Sequence, residues 1–190
     1  MHLARRLGWP VWLAATVLVL VAGAVTPAAA QTPQRERLER NVAAGKPYFI
    51  DFRAGLISVT GHSYVVFGRL DGSGQVIHIQ HAEIYPKDND VGLIVGLFVP
   101  VRASVRIKDG DSPQQAVISY RRYLTASEYA TAMRALRTER RQDQHWNVLL
   151  FNCNDFTSNV AEALGLRTPS NLLLPHAYIS ALRLLNGRQE

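Results

Sequence analysis

The 190-residue chain contains a single cysteine, Cys153, which is the first candidate for chemistry. One cysteine cannot form an intramolecular disulfide, a cysteine-based zinc cluster or an iron–sulfur site. The thiol is therefore core filling, an intermolecular crosslink or a reactive group. Cys153 falls at the first turn of a predicted helix, where free N–H groups and the helix dipole favour a thiolate. This position fits a nucleophile, although Phe156 and Val160 on the same helix face also fit a structural cysteine in the core.

A thiolate nucleophile needs a general base within hydrogen-bond reach and usually a further group that orients this base. His62 follows Gly61 at the head of a predicted strand, and His78 lies in the facing strand of a predicted hairpin. These two histidines can act as the base and its orienting group, and His81 is the alternative to His78. No metal or organic cofactor is required for this chemistry.

The elements that must position these residues begin with a strand-rich region. Strands are predicted over residues 48–53, 56–70, 75–80 and 116–124. The turn signal at residues 71–74 joins the second and third strands as an antiparallel hairpin. Val91–Val101 is almost wholly apolar but too short to span a membrane, so it predicts a buried strand. After the bend at Pro100, a second strand is predicted to continue through Ile107.

Helices are predicted in the last third of the chain. Thr125 and Glu128 have the spacing of a capping box, which predicts a helix from Ala126 to about Arg141. A second helix is predicted from near Cys153, with Gly165 as its cap residue, and a last helix over residues 175–185.

Residues 1–30 have the pattern of a secretory signal peptide. Two early arginines precede an uncharged apolar run over residues 12–25, and three alanines end the segment at Ala30. An uncleaved membrane anchor is the alternative, because residues 7–30 are long enough to span a bilayer. We expect cleavage after Ala30, which yields a periplasmic or secreted protein with no stable membrane span.

The remainder divides into a polar lead-in, residues 31–46, and one domain, residues 47–190. With 47% apolar and 19% charged residues, the chain can bury a core. Beyond Ala30 it carries 19 basic and 15 acidic residues, without a basic run interleaved with aromatic residues. The sequence therefore predicts no nucleic-acid binding, and we expect a monomer.

Two segments of the chain resemble a known group of enzymes. The segment 146–165, which contains Asn152-Cys153-Asn154-Asp155-Phe156, resembles the cysteine segment of PPPDE-type permuted papain-fold peptidases. Its Asn-Cys-x-x-Phe core is also similar to the lecithin:retinol acyltransferase-like family, and both families are related to bacterial cell-wall papain-like peptidases. Residues 61–68 resemble their histidine strand. Because this strand precedes the cysteine helix, the resemblance implies an α+β, circularly permuted papain-like fold with an antiparallel sheet packed against helices.

The resemblance implies that Cys153 is the nucleophile and His62 the general base. In the acyltransferase-like branch a second histidine polarises the first, and His78 takes that place here. The peptidase branch implies instead a simple dyad of Cys153 and His62 without a third group. The implied activity is that of a cysteine peptidase or amidase that cleaves a peptide or isopeptide bond through a thioester, with a peptide or cell-wall peptide as substrate. One alternative is an acyltransferase or lipid/thioester hydrolase that acts on acyl lipids, with Val91–Val101 lining an acyl pocket. A second alternative is a non-catalytic binding module on the same scaffold.

Overall fold

The computed structural model of the protein describes residues 28–56 and 61–187. These residues form five helices and one six-stranded antiparallel sheet, so the predicted α+β class is confirmed. Residues 1–27, which hold most of the predicted signal peptide, lie outside the described residues. Within the described ranges, no helix has both the length and the apolar character needed to cross a bilayer.

The helices and strands are numbered in their order along the chain. They are α1 (Ala28–Ala43), β1 (Tyr48–Gly55), β2 (His62–Leu70), β3 (Val76–Pro86), α2 (Asn89–Val95), β4 (Val101–Asp109), β5 (Ala116–Leu124), α3 (Ala126–Arg141), β6 (Gln144–Trp146), α4 (Cys153–Ala163) and α5 (Pro175–Asn186). The strand order across the sheet is β5–β1–β2–β3–β4–β6. Most of the predicted polar lead-in is therefore helical, as part of α1.

The predicted hairpin is formed by β2 and β3. The side chain of Asp71 accepts hydrogen bonds from the backbone N–H groups of Ser73 and Gln75, each at 2.9 Å, which closes the turn. Gly74 has a φ of +77°, a conformation that glycine adopts without steric cost. β3 extends to Pro86, six residues beyond the predicted end at residue 80. This extension brings Glu83 into the sheet.

The sheet separates two apolar layers because side chains alternate along each strand. Ile50 and Phe52 belong to the larger core, which also contains Phe156 of α4 and Tyr178 of α5. Phe49, which directly precedes Ile50 and faces the other side of the sheet, belongs to a smaller cluster on which α1 packs with Leu38 and Val42. The sheet therefore carries helices on both faces, and α4 lies on the side of the larger core.

The segment Val91–Val101 differs from its prediction in its first half. Residues 89–95 form helix α2, not a buried strand, whereas the second predicted strand is confirmed as β4. Two glycines four residues apart explain the helix. A Cβ on Gly92 would lie 2.6 Å from the Pro86 Cβ, and one on Gly96 would lie 2.4 Å from the Trp146 ring. Both glycines therefore let α2 and the following turn pack closely against the end of the sheet. Between them, Leu93 packs against the larger core, while Ile94 and Val95 are exposed.

The predicted helices in the last third of the chain are confirmed. Thr125 and Glu128 form the capping box of α3, in which Glu128 accepts a 2.7 Å hydrogen bond from the backbone N–H of Thr125. α4 begins at Cys153, and Gly165 follows its last turn with a φ of +73°. α4 packs against α3 and α5 and sets its first residue against the beginning of β2.

Candidate active site

Cys153 is the first residue of α4 and is 8% exposed. Asn152 caps the helix, because its side chain accepts a 2.7 Å hydrogen bond from the backbone N–H of Asn154. Asp155 completes a capping box by accepting a 2.7 Å hydrogen bond from the backbone N–H of Asn152. This arrangement fixes the helix start and leaves the backbone N–H of Cys153 in the first turn, where helical N–H groups have no intrahelical acceptor.

His62 begins β2 and hydrogen bonds to Cys153. Burial alone would lower the pKa of His62, since its side chain is only 12% exposed. The hydrogen bond to Cys153 and the contact with Glu83 outweigh this effect and raise the pKa of His62 from 6.5 to about 9. The imidazole is therefore protonated at neutral pH. Cys153 and His62, the two main residues predicted from the sequence, lie side by side.

The groups around Cys153 also shift the pKa of its thiol. Burial would raise its pKa, but the hydrogen bond and charge of His62, together with the contacts of Ser63, lower the pKa below its ordinary value. Ser63 contacts Cys153 through both its backbone and its side chain. These contacts favour a thiolate on Cys153 beside an imidazolium on His62, which is the reactive form of a cysteine nucleophile.

Glu83 is the third member of the arrangement. Its Oε2 lies 3.4 Å from Nε2 of His62, an ion-pair contact that lacks the alignment of a full hydrogen bond. Burial would raise the pKa of Glu83, but His62 and, at longer range, Lys108 lower it from 4.5 to about 2. Glu83 is 6% exposed and is therefore a buried carboxylate that stays ionised. Its charge stabilises the imidazolium, and its position makes it an orienting group for His62.

Glu83 is itself held by two side chains. Gln114 donates a 3.0 Å hydrogen bond from Nε2 to Oε2 of Glu83, the oxygen that faces His62. Nζ of Lys108 lies 3.6 Å from the other oxygen, Oε1. The hydroxyl of Tyr64 donates to the backbone carbonyl of Gln114 at 3.0 Å, which anchors the loop between β4 and β5. Gln114 therefore shares Oε2 of Glu83 with the imidazole, and Lys108 lies against the other oxygen.

The structure does not bring His78 to Cys153. His78 is exposed and pairs with Arg69 near the turn, whereas His62 lies seven residues further along β2. At 3.3 Å per residue the two histidines are about 23 Å apart along the hairpin. The physical reason is the register: residues close to a hairpin turn pair with each other, and His62 is far from it. Glu83, not His78, occupies the predicted position beside His62.

His81, the alternative to His78, also lies away from Cys153. It pairs with Val66, four residues along β2 from His62, which places it about 13 Å away. Its Nδ1 lies 3.1 Å from the backbone carbonyl oxygen of Gly110, so the ring supports the same loop that carries Gln114. His81 therefore contributes to the frame behind Glu83.

Asn154 joins three parts of the site. Its Oδ1 accepts a 2.8 Å hydrogen bond from the Ser63 hydroxyl. Its Nδ2 donates to the backbone carbonyls of Asn171 at 3.0 Å and Leu173 at 2.7 Å. The residue is 2% exposed, so it forms a buried link between α4, β2 and the segment that precedes α5.

Cys153 and His62 line a cleft of about 320 Å³. The walls are mostly apolar and come from α2, from the turn after β6 and from the segment before α5. The apolar lining residues are Ile84, Leu93, Ile94, Leu97, Trp146, Val148, Leu172, Leu173, Leu174 and Pro175. In residues 28–56 and 61–187, no three His, Cys, Asp or Glu side chains gather in a way that could hold a metal ion.

Sequence reasoning missed Glu83, Ser63 and Gln114. For two of them the sequence contains a signal. For Ser63 the signal is the alternation of side chains along β2, which places Ser63 and Tyr64 on opposite faces of the sheet. For Glu83 the signal is the hairpin turn, which places residues near 83–85 opposite His62. Gln114 has no comparable signal, because its contact depends on how the loop between β4 and β5 folds over the sheet.

Comparison with known proteins finds no matching family model, no matching curated protein and no matching solved structure. The chemistry of the site therefore rests on its own geometry: the buried Cys153 in contact with His62, the carboxylate of Glu83 beside His62, and an apolar cleft.

Proposed function

We propose that this protein is a thiol hydrolase that cleaves an amide bond through a thioester on Cys153. The observation that carries the proposal is the contact of His62 with both Cys153 and Glu83 at the edge of a cleft. An activated nucleophile, its base and an orienting group within contact distance are the requirements of covalent acyl transfer. Cys153 and His62 are the proposed catalytic residues, and Glu83 is the proposed positioning residue.

The proposed reaction begins from the thiolate–imidazolium pair. The sulfur of Cys153 attacks the acyl carbon, and the carbonyl oxygen gains the negative charge of a tetrahedral intermediate. The backbone N–H of Cys153, in the first turn of α4, is the proposed donor to this oxyanion. His62 then gives its proton to the leaving amine as the carbon–nitrogen bond breaks, which leaves a thioester. Water loses a proton to His62 and attacks the thioester, and the acid product and the thiolate are released.

A circularly permuted papain-like fold is the proposed architecture. The order of a histidine strand followed by a cysteine helix supports it, as does the antiparallel sheet with α4 packed on one face. The resemblance of residues 61–68 and 146–165 to PPPDE-type and lecithin:retinol acyltransferase-like proteins points to the same architecture. Export to the periplasm or the medium is proposed from residues 1–30.

The lining of the cleft favours a second candidate function, a lipid or thioester acyl hydrolase or acyltransferase. Ile94, Leu97 and residues 172–174 give the cleft an apolar wall next to Cys153. Such a wall suits an acyl chain, or a peptide with large apolar side chains, better than a charged cell-wall peptide. A non-catalytic binding module is the least supported candidate, because an ionised Glu83 beside His62 serves no evident purpose in ligand binding.

The test is the rate at which iodoacetamide labels Cys153 at pH 7, followed by intact mass. Cys153→Ala should abolish labelling, and His62→Ala should slow it by about tenfold or more, because burial then raises the pKa of the thiol. His78→Ala is the matched control, since His78 is an exposed histidine of the same hairpin, and it should leave the rate unchanged. Equal rates in the His62→Ala variant and the parent protein would exclude the proposed pair.

Substrate assays then separate the candidate functions. Peptidoglycan fragments and peptides test the amide hydrolase, and acyl thioesters of increasing chain length test the lipid alternative. For either class, turnover must disappear in the Cys153→Ala variant. Turnover that rises with chain length would favour the acyl hydrolase over the peptidase.

A further inference from the structure

Three segments around the mouth of the cleft expose large apolar side chains. They are residues 91–99, residues 149–150 and residues 172–174. Among the described residues, 17 large apolar side chains are exposed, and 11 of them lie on these three segments. These 11 are Val91, Ile94, Val95, Leu97, Phe98, Val99, Leu149, Leu150, Leu172, Leu173 and Leu174. We refer to these three segments as the rim.

The rim lacks tyrosine, tryptophan and arginine, the residues that anchor most protein interfaces. Its three segments contain no charged residue. Its exposed side chains are leucine, isoleucine, valine and one phenylalanine, Phe98, which is 82% exposed. Interfaces between proteins depend on tyrosine, tryptophan and arginine, whereas leucine and valine are under-represented among their strongest contacts. The rim therefore suits an apolar phase better than a folded partner.

The backbone of the rim supports the same conclusion. The N–H groups of Leu149 and Leu150 donate to the side chain of Asn147 at 3.0 and 3.1 Å. Those of residues 96–99 donate to backbone carbonyls of the preceding turn at 2.8–3.3 Å. Those of Leu172 and Leu173 donate to the hydroxyl and the carbonyl of Ser170 at 3.4 and 3.3 Å. A loop can enter hydrocarbon only if its backbone polar groups are bonded within the protein, and the N–H groups of these turns are.

The rim is also continuous with the cleft. Ile94, Leu97 and residues 172–174 are exposed at the rim and at the same time line the cleft beside Cys153. An apolar surface therefore runs without interruption from the outside of the protein to the nucleophile.

We propose that the rim docks on the surface of a lipid layer, with the mouth of the cleft against the hydrocarbon region. Phe98, Leu149 and Leu150 enter the layer, while the sheet and α1 remain in water. Because the rim carries no charge, the docking depends on apolar burial and not on anionic headgroups. The docking does not require the chemistry of Cys153, so the two proposals are tested independently.

The test places an environment-sensitive nitrobenzoxadiazole probe on the rim of the full chain. Leu150→Cys in a Cys153→Ala background provides a single labelling site, and Ile77→Cys in the same background is the matched control. Ile77 is 56% exposed and lies near the hairpin turn, at the far end of β2 and β3 from His62. Because the probe reports its own surroundings, an apolar segment elsewhere in the chain cannot imitate insertion of the rim.

Vesicles of phosphatidylcholine alone should shift the emission of the probe at position 150 to the blue, and nitroxide-labelled lipid should quench it. The probe at position 77 should show neither change. Adding Phe98→Asp should weaken the response at position 150 by about tenfold or more in lipid concentration. Leu184→Asp is the matched control for that change, since Leu184 is 80% exposed on the last turns of α5, and it should have no effect.

Four results would overturn the proposal. The first is an unchanged probe at position 150 at saturating lipid. The second is an equal response at position 77, which indicates non-specific adsorption. The third is loss of the response in about 0.5 M salt, where electrostatic attraction is screened. The fourth is a shift that depends on protein concentration without lipid, which assigns the rim to a second copy of the chain.

Discussion

The Glu83→Gln substitution tests the electrostatic argument for the site most directly. The rise in the pKa of His62 from 6.5 to about 9 corresponds to about 3 kcal/mol of net stabilisation of the imidazolium. Cys153 and Glu83 both contribute to it, with the hydrogen bond to Cys153 as the larger of the two raising contacts. Burial opposes this rise, so the two contacts together supply more than the net figure. If neutralising Glu83 removes about half of the net figure, the loss is about 1.5 kcal/mol, or up to about tenfold in the ratio of the thiolate–imidazolium form to the neutral form.

The assay is the rate of Cys153 alkylation by iodoacetamide between pH 4 and pH 10. Glu83→Gln lowers the pKa of His62, so at pH values where Cys153 and His62 share one proton, more of the protein holds a neutral thiol beside a neutral imidazole and the rate on the neutral plateau falls. We expect the rate at pH 6 to fall about tenfold. The rate at pH 10 should be nearly the same in both proteins, because there the thiolate forms without help from the imidazolium.

Glu139→Gln is the matched control, because Glu139 is another buried glutamate and lies on α3, outside the lining of the cleft. This variant should keep the profile of the parent protein. A folded Glu83→Gln protein whose labelling rate at pH 6 to 7 equals that of the parent would refute the role given to the carboxylate. A loss of rate at all pH values, including pH 10, would indicate a blocked or distorted cleft and would equally contradict the electrostatic explanation.

Three further predictions concern the surroundings of the pair. Gln114→Leu removes the hydrogen bond to Oε2 of Glu83, so the carboxylate is held less firmly beside His62. It should lower kcat about tenfold with little change in KM, measured on whichever substrate the parent turns over. Asn154→Leu leaves the backbone carbonyls of Asn171 and Leu173 without their donor and should lower the free energy of unfolding by about 2–4 kcal/mol, measured in urea. The pKa of Glu83 falls on folding from 4.5 to about 2, so its contribution to stability is full above pH 4.5 and is lost as the pH falls through about 2. The difference in free energy of unfolding between the parent protein and Glu83→Gln should therefore shrink below pH 4.5, and a constant difference would contradict the low pKa.

Much of the fold follows from local signals in the sequence. The Asp71–Gly74 turn, the capping box at Thr125 and the helix start at Cys153 each depend on a few neighbouring residues, and each is where the pattern predicts it. Val91–Val101 shows the limit of this reasoning. An apolar run predicts burial, but here it forms a short helix and a turn whose side chains line a cleft, and only the spacing of two glycines hints at that outcome.

The candidate site could be predicted in part. Cys153 and His62 can be predicted from the sequence because each lies at the start of a helix or strand and has a recognisable local context. Glu83 was not predicted, since the predicted third strand ended at residue 80 and the strand in fact runs six residues further. If the predicted hairpin is extended in the same register, the residue opposite His62 lies near positions 83–85 and is not His78. Gln114 depends on the path of a loop across the sheet, which no short stretch of sequence determines.

The groups that activate Cys153 come from distant parts of the chain. The contact that Asn154 makes with Ser63 spans 91 positions, and Glu83 and Gln114 belong to two further segments. In an unfolded chain none of these groups is near the sulfur, so the thiol has an ordinary pKa near 8.5 and is mostly protonated at neutral pH. The reactivity proposed for Cys153 is therefore a product of tertiary folding. A newly made or unfolded chain carries an almost inert thiol, and the appearance of fast labelling marks the moment at which the sheet and α4 come together.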